Sequence, residues 1–465
     1  MKTNKSDIRN PAVALMRYVS ICWLILAGFS SCNNPEEPAE GVTGGRFFTF
    51  NTVVRVNQIE VSRELSIGND ERERHTLKNV QAFRKAVYDG WPEARITWAF
   101  SWRSLHSLAP NYAAIRRFAR KCHEQYGDDV TFIPGAFFAN AYNSREQVNR
   151  DLHEGLATVS EMMGGGFRPK SVIAGFLSSA NQQFLAENEG IHVCQGSVWS
   201  QYAIDNQDGD GSICYPYYPS KEHFCKPAQS EQDFIDCVCL DGWTVDFLAA
   251  RREGYHEGFN SRMGVGPIET IKKYGPDTGL RQMLATTAMH FDRGFELNGF
   301  AWVTCCWEIS MVDEIGHLDA LTAWLKEIRR RWPDAQCLTM GDFGLRWRHE
   351  FRNNDAIDYR FEQRGTGIGG SDADKEIRWF FNKDFRLAQL GDTGQMAVEH
   401  VIDFTRYDRP AKEPQELTRH WSLMGEINQK QTRPQDKPLP FKELPAEWQS
   451  IILDHYPEIE ANQRP

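Results

Sequence analysis

The feature that most constrains this chain is an alternation in which seven short runs rich in β-branched and aromatic residues are separated by longer helical stretches. The runs are 53–61 (VVRVNQIEV), 95–102 (RITWAFSW), 130–138 (VTFIPGAFF), 171–177 (SVIAGFL), 192–199 (HVCQGSVW), 234–240 (FIDCVCL) and 300–307 (FAWVTCCW). Several are apolar almost throughout, as strands buried on both faces are, and 72–89, 111–125, 144–163, 180–189 and 278–293 between them have helical character. Ser144 with Glu146 and Gln147 predicts a helix start, and Gly164 to Gly166 its stop. Strands alternating with helices form a parallel sheet. The expectation is an α/β fold, a (β/α) barrel of seven strands over 46–340, with a doubly wound open sheet as the alternative because sequence does not show closure.

After residue 340 the pattern changes. DFGLRWRHEF, AIDYRFEQR and KEIRWFFNK alternate polar with aromatic residues, and GTGIGGS supplies turn chemistry, so 341–425 is expected to be a small antiparallel β-sandwich-like domain. The tail, 426–465, is expected to lie on the surface with a short helix near 445–455.

At the other end, Lys2, Lys5, Arg9 and Arg17 precede the uncharged run YVSICWLILAGF at 18–29. That run is shorter than the roughly 20 residues a spanning helix needs, and it has the profile of a signal peptide. It ends in FSSC, which resembles a bacterial lipobox, so 1–32 is expected to be a lipoprotein signal with Cys32 as the lipidated residue. The acidic, Pro- and Gly-rich segment 33–45 (NNPEEPAEGVTGG) then serves as a tether. These features place the protein in the cell envelope, at the outer membrane or cell surface, touching the membrane through its lipid only. With 53 basic against 63 acidic residues and no basic block, nucleic acid is not an expected partner.

Eleven cysteines include Cys22 and Cys32, and the nine others are scattered rather than spaced as a disulfide framework or a zinc ribbon. Cys214 with Cys225 is the first pair to test. Cys237, Cys239, Cys305 and Cys306 lie in apolar runs and are expected to be buried thiols.

A barrel carries its chemistry at the C-terminal ends of its strands. Glu308 follows FAWVTCCW, Asp241 closes FIDCVCL within LDGWTVD, which also supplies Asp246, and Glu60 ends the first run beside Asn57 and Gln58. Two carboxylates facing across a pocket can divide glycosidic cleavage between an acid and a nucleophile or base, whereas one strand-end acid alone more often caps a helix or pairs with an arginine. Trp102, Trp199, Trp243 and Trp307 stand at or near the same ends and offer faces for sugar rings, with Asn140 and Tyr202 as further candidate substrate contacts. Trp98 and Trp302 are expected in the core. The loop DNQDGDGS places Asp205, Asp208 and Asp210 among glycines, like the opening of a calcium loop, although a solvated polar turn has the same composition.

The segments NQIEVSRE, GFRPKSVIAGFLSSANQQFLAENEGIHVCQGSVWSQYAID, DGSICYPYYPSKEHF and LDGWTVDF resemble a family of gut Bacteroidetes proteins built from two successive domains of unknown function. The second of these begins near MGDFGLRWRHEF. The first is similar to the glycoside hydrolase and polysaccharide deacetylase superfamily of (β/α)7 barrels, with FRPKSVIAGFL followed by ENEGIHVCQGS carrying the likeness. The resemblance implies the barrel but assigns no catalytic residue. Zinc-dependent deacetylases pair aspartates at the first strand with a His-x-x-x-His motif, whereas here the first strand ends NQIE, no such motif exists and His106 stands alone. The fourth run, SVIAGFLSSAN, also lacks the acid that related glycosidases place there. The sequence therefore supports an exported glycoside hydrolase-like enzyme acting on a glycan. A non-catalytic glycan-binding lipoprotein and a divergent deacetylase-like hydrolase are the alternatives.

If Cys32 carries the lipid, Cys32→Ala leaves the precursor uncleaved or releases the protein from the membrane fraction. Processing and fractionation like wild type would refute the anchor.

Overall fold

The computed structural model describes residues 40–197, 203–204, 207–209, 215–253, 262–314, 316–395, 401–423 and 439–461. Its parallel part contains β1 (Arg46–Val54), β2 (Asn57–Ile59), β3 (Ile67–Asp70), β4 (Thr97–Ser101), β5 (Asp129–Ile133) and β6 (Val172–Ile173). These are followed by β7 (Val193–Ser197), β8 (Ala203–Ile204), β9 (Gln207–Asp208), β10 (Val238–Asp241), β11 (Ala301–Cys306) and β12 (Gln336–Leu338). The longest is β1, RFFTFNTVV, whose apolar side chains on both faces make it central. One flank of β1 pairs with β11 from Arg46↔Ala301 to Asn51↔Cys306. The other pairs with β12 along Phe47 to Thr49 and then with β4 along Asn51 to Val54, and β5 continues the sheet. A second parallel sheet runs β10-β7-β6, while β2 with β3 and β8 with β9 form small antiparallel pairs.

Each of the seven expected runs contributes to a parallel strand, in the expected order, but the expected barrel is not closed by ladders among the described residues. β6 is two residues long, is followed two residues later by Gly175 at φ +75°, and meets β5 through the bond from Thr131 Oγ1 to the Ser171 carbonyl. On the other side, β10 shifts register between Cys239 and Asp241, and Thr244 N donates to the Thr304 carbonyl at 3.0 Å instead of extending a ladder. The first strand also begins earlier than expected, because GRFFTF is the apolar part and Arg55 is drawn out of the sheet by its carboxylate partners.

Two apolar layers result. Phe48, Phe50 and Val54 pack outward with Val80, Phe83, Trp324 and Leu325 from the helices Leu77–Gly90 and His317–Arg331. Phe47, Val53, Ile133, Ile173, Val193 and Trp302 pack inward. The helix Arg145–Met163 starts as expected, with Ser144 Oγ accepting from Gln147 N and Gly164 at φ 70° ending it. Trp98 and Trp302 are core, and Cys237, Cys239, Cys305 and Cys306 are buried thiols.

DFGLRWRHEF is not a strand. Thr339 caps a helix, Met340–Glu350, by accepting from Asp342 N at 3.1 Å, and Phe343 and Trp347, four residues apart, share its buried side. The antiparallel part that follows is a single meander of β13 (Asp358–Arg364), β14 (Lys375–Asn382), β15 (Phe385–Asp392) and β16 (Val401–Arg406), rather than a sandwich. One face places Tyr359, Phe361, Trp379 and Phe381 on the inner layer. The other is covered by the expected terminal helix, Ala446–His455, through Phe385, Phe404, Trp448 and Ile452.

His290 lies where this sheet meets the parallel part, stacked on Phe361 with ring centroids 4.3 Å apart, and its Nε2 has no partner. Burial lowers its pKa to about 3. The unfolded chain therefore binds a proton at His290 that the fold excludes, and stability is lost as pH falls from about 6.5 towards 3. Burial also raises Asp129 and Glu269 to about 7, which stabilises the fold as pH falls from about 7 to 4. The histidine's share is thus the difference between wild type and His290→Phe in urea melts, expected to be on the order of 3 kcal/mol at pH 4. Parallel stability profiles of the two proteins would refute it.

A candidate active site at the strand ends

Because β1 and β11 are parallel neighbours, the residues just beyond them meet. Arg55 follows β1 and Glu308 stands two residues after β11, and Arg55 Nη2 lies 2.7 Å from Glu308 Oε2. The Arg55 fork also holds Glu71, with Nε 2.6 Å from Oε2 and Nη2 3.0 Å from Oε1, and His75 Nε2 is 3.1 Å from the same carboxylate. On the other side Arg262 Nη1 lies 3.6 Å from Glu308 Oε1, while Arg262 Nε and Nη2 reach Glu269 Oε1 at 3.1 and 2.8 Å. Trp243 supports that arginine from below, 4.4 Å from its guanidinium carbon to the ring centroid.

The result is a buried series of alternating charge, Glu71, Arg55, Glu308, Arg262 and Glu269. Burial opposes the charge on Arg55, but Glu308 and Glu71 hold it protonated. Burial likewise pushes Glu71 up, yet Arg55 and the His75 hydrogen bond leave it well below the usual carboxylate range. Glu269 has the opposite outcome. Burial pushes it up to about 7 against the pull of Arg262, and its Oε2 has no partner. Glu308 and Glu269 thus share one arginine while differing in surroundings, as an acid and an anion in one site must. Sequence reasoning missed Glu269 because it sits in the first turn of the helix Pro267–Tyr274, away from any strand end. Its signal was an acid in the first turn of a helix opened by Gly266-Pro267.

The other expected residues divide clearly. Asp241 closes β10 and its Oδ1 accepts from Trp243 N at 3.0 Å, which places it beside the tryptophan that carries Arg262. Glu60 accepts from Val56 N, Ser101 Oγ and Arg103 N at 2.9, 2.8 and 3.2 Å, so it organises the turn after β1. Asp246 accepts from Ala249 N at 2.9 Å and from Gln282 and Gln363, joining a helix start to the antiparallel sheet. Asn140 is bonded to Asn181 and Ser178 N, both at 2.8 Å. Glu60, Asp246 and Asn140 are each engaged by partners within the fold.

The aromatic expectation needs correction. Trp243 and Trp307 are 1% and 0% exposed, so neither presents a face to solvent, because the inner layer and the helices respectively enclose them. Trp102 is half-buried but covered, with Arg63 3.7 Å above its ring and His106 stacked at 4.1 Å. Cys32, Trp199, Tyr202, Asp205, Asp210 and Cys214 lie outside the described residues, and of the calcium candidates only the backbone of Asp208, in β9, is described. Cys225 is buried, its Sγ 3.7 Å from the Trp421 carbonyl.

Among the described residues, the zinc of deacetylases finds no fit. His106 is exposed and its Nδ1 is engaged by the Trp102 carbonyl at 2.9 Å, and no cluster of three metal-ligating side chains exists among the described residues.

The chain was compared with known proteins. No curated protein matches it. A candidate glycoside hydrolase/deacetylase from Parabacteroides distasonis, solved as a crystal structure, is 45% identical with a TM-score of 0.85, over 91% of this chain and 100% of that one. A candidate polysaccharide deacetylase from Pseudomonas aeruginosa PAO1 is 12% identical with a TM-score of 0.40, over 69% of this chain and 97% of that one, too distant to carry an argument. Residues 386–459 match a second domain of unknown function, DUF3864. Residues 40–381, well over half of the sequence, match the domain of unknown function with a solved structure, DUF3863, and the chain belongs to that family.

Proposed function

We propose that this protein is a carbohydrate-active hydrolase of the glycosidase type, exported and lipid-anchored through Cys32, with Glu308 as its anionic carboxylate and Glu269 as its proton donor. The observation that carries the reading is a strand-end carboxylate, Glu308, and a helix-start carboxylate, Glu269, held on one arginine, the second raised to about 7 and incompletely hydrogen-bonded. A single guanidinium touching both keeps their oxygens within roughly 9 Å, the separation over which glycosidase carboxyl pairs work. The likeness to the Parabacteroides protein, a candidate glycoside hydrolase/deacetylase, supports the same class.

The roles follow from the surroundings. Glu308, between two guanidiniums, is suited to attack at the anomeric carbon or to take a proton from water. Glu269 near neutral pH retains a proton to give to the leaving oxygen. Arg55 and Arg262 are positioning residues, since each fixes a carboxylate.

Glu308→Gln and Glu269→Gln should each lower kcat/KM on the true glycan by roughly 100-fold or more while the protein stays folded. The alkaline limb of the wild-type profile should fall with a midpoint near 7 and be absent in Glu269→Gln. Full activity in Glu308→Gln would overturn the reading, and a loss confined to Asp241→Asn would transfer the donor role to Asp241.

A further inference from the structure

The inner side of β1 carries a polar group that nothing in the fold explains. Phe47 and Val53 of β1 belong to the inner layer and Phe48, Phe50 and Val54 to the outer one, so Asn51 faces inward with the odd-numbered set. It is 0% exposed, yet neither atom of its amide has a hydrogen-bond partner. Thr49, two residues earlier on the same side, shows what a satisfied neighbour looks like, bonding to Thr304 at 2.8 Å and Trp302 at 3.0 Å. Across the interior, Gln195 of β7 lies on the inward side with Val193, and its Nε2 donates to the Ser197 carbonyl at 3.2 Å while Oε1 has no partner. Buried amides without partners destabilise a fold, so their presence points to something that completes them.

Both amides adjoin the candidate site. Asn51 is in register with Cys306, and its carbonyl accepts from Trp307 N at 2.9 Å, one residue before Glu308. Gln195 packs so closely on Gly242, between Asp241 and Trp243, that a Cβ there would lie 2.8 Å from Nε2. Trp243 lies on the strand-end side of both, with Nε1 3.4 Å from the Cys306 carbonyl and its ring 5.6 Å from that of Phe137. Phe137 stands on unusual backbone. Gly135, Ala136 and Phe137 have φ of 59°, 47° and 83°, a conformation that costs non-glycine residues energy and clusters at ligand clamps.

We propose that Asn51 and Gln195 form the floor of an occluded subsite for the hydroxyl groups of a neutral sugar ring, with Phe137 and Trp243 as its apolar cover. This inference rests on the hydrolase reading above. Sugar hydroxyls both donate and accept, as the unpartnered amide atoms require, and aromatic rings suit the C–H face of a pyranose. Neutrality follows from the strands themselves, since Arg46 at its start is the only charged residue in β1 and β7 has none.

The test uses Asn51→Leu and Gln195→Leu, assayed on p-nitrophenyl glycosides of neutral hexoses and of uronic acids. Replacing an unpartnered amide by an apolar side chain of similar size should leave the melting temperature equal or higher, while kcat/KM on the preferred neutral glycoside falls roughly tenfold, mainly through KM. If Asn51→Leu does not fold, Gln195→Leu carries the test. Lower melting temperatures with unchanged kcat/KM would overturn the subsite and make the amides structural, completed by internal water. Preference for uronides would overturn the neutral ligand. A wild type inert towards every glycoside would defeat the hydrolase reading instead, and crystals soaked with methyl glucoside would then decide the subsite separately, water alone at the two amides overturning it.

Discussion

The series Glu71, Arg55, Glu308, Arg262 and Glu269 is the interaction on which the rest of the strand-end face depends. Taking charged groups out of water is expensive, and mutual attraction compensates only if every member keeps its partner. The geometry is accordingly strict: Arg55 serves Glu71 and Glu308 at 2.6 to 3.0 Å, and Arg262 serves Glu269 closely and the same Glu308 at 3.6 Å. The series fixes where β1 and β11 end, where the segment after β3 folds back and where the helix Pro267–Tyr274 begins. It is also the least uniform part electrostatically, because its two ends, Glu71 and Glu269, are driven in opposite directions.

Much of the scaffold was legible before any coordinates because it rests on local rules. Runs such as FAWVTCCW are strands since nothing in them tolerates water, and Ser144 and Gly164 bound their helix by capping and by positive φ. Closure of a sheet depends instead on strand length and register across distant segments. A two-residue β6 and a shifted β10 leave no mark in composition. DFGLRWRHEF misled for a related reason, since its aromatic spacing fits either period, and Thr339 as a cap decides in favour of the helix.

The site was legible in part. Glu308 and Asp241 were identified by position at strand ends, and the structure gives Glu308 two arginines while setting Asp241 against Trp243. Glu60 and Asp246 look the same in sequence, yet each is engaged by donors of its own turn or of a distant glutamine. Arg55, Arg262 and Glu269 carried no strand-end signal, because pairing between charges far apart in sequence is a property of the fold alone. The tryptophans show the reverse error: large aromatic side chains near a rim are as useful for sealing an interior as for facing a ligand.

The way β1 is shared has a consequence for how the molecule comes into being. Its first half is flanked by β11 and by β12, which ends at Leu338, so the strand nearest the start of the described chain finds both neighbours only in the last third of the sequence. Pairings this remote make for slow, late acquisition of structure. During synthesis, Phe47–Thr49 must wait for β12 until nearly three hundred further residues have emerged, although Asn51–Val54 meet β4 much earlier. A nascent chain in that condition remains threadable, and it needs protection from other chains in the interval.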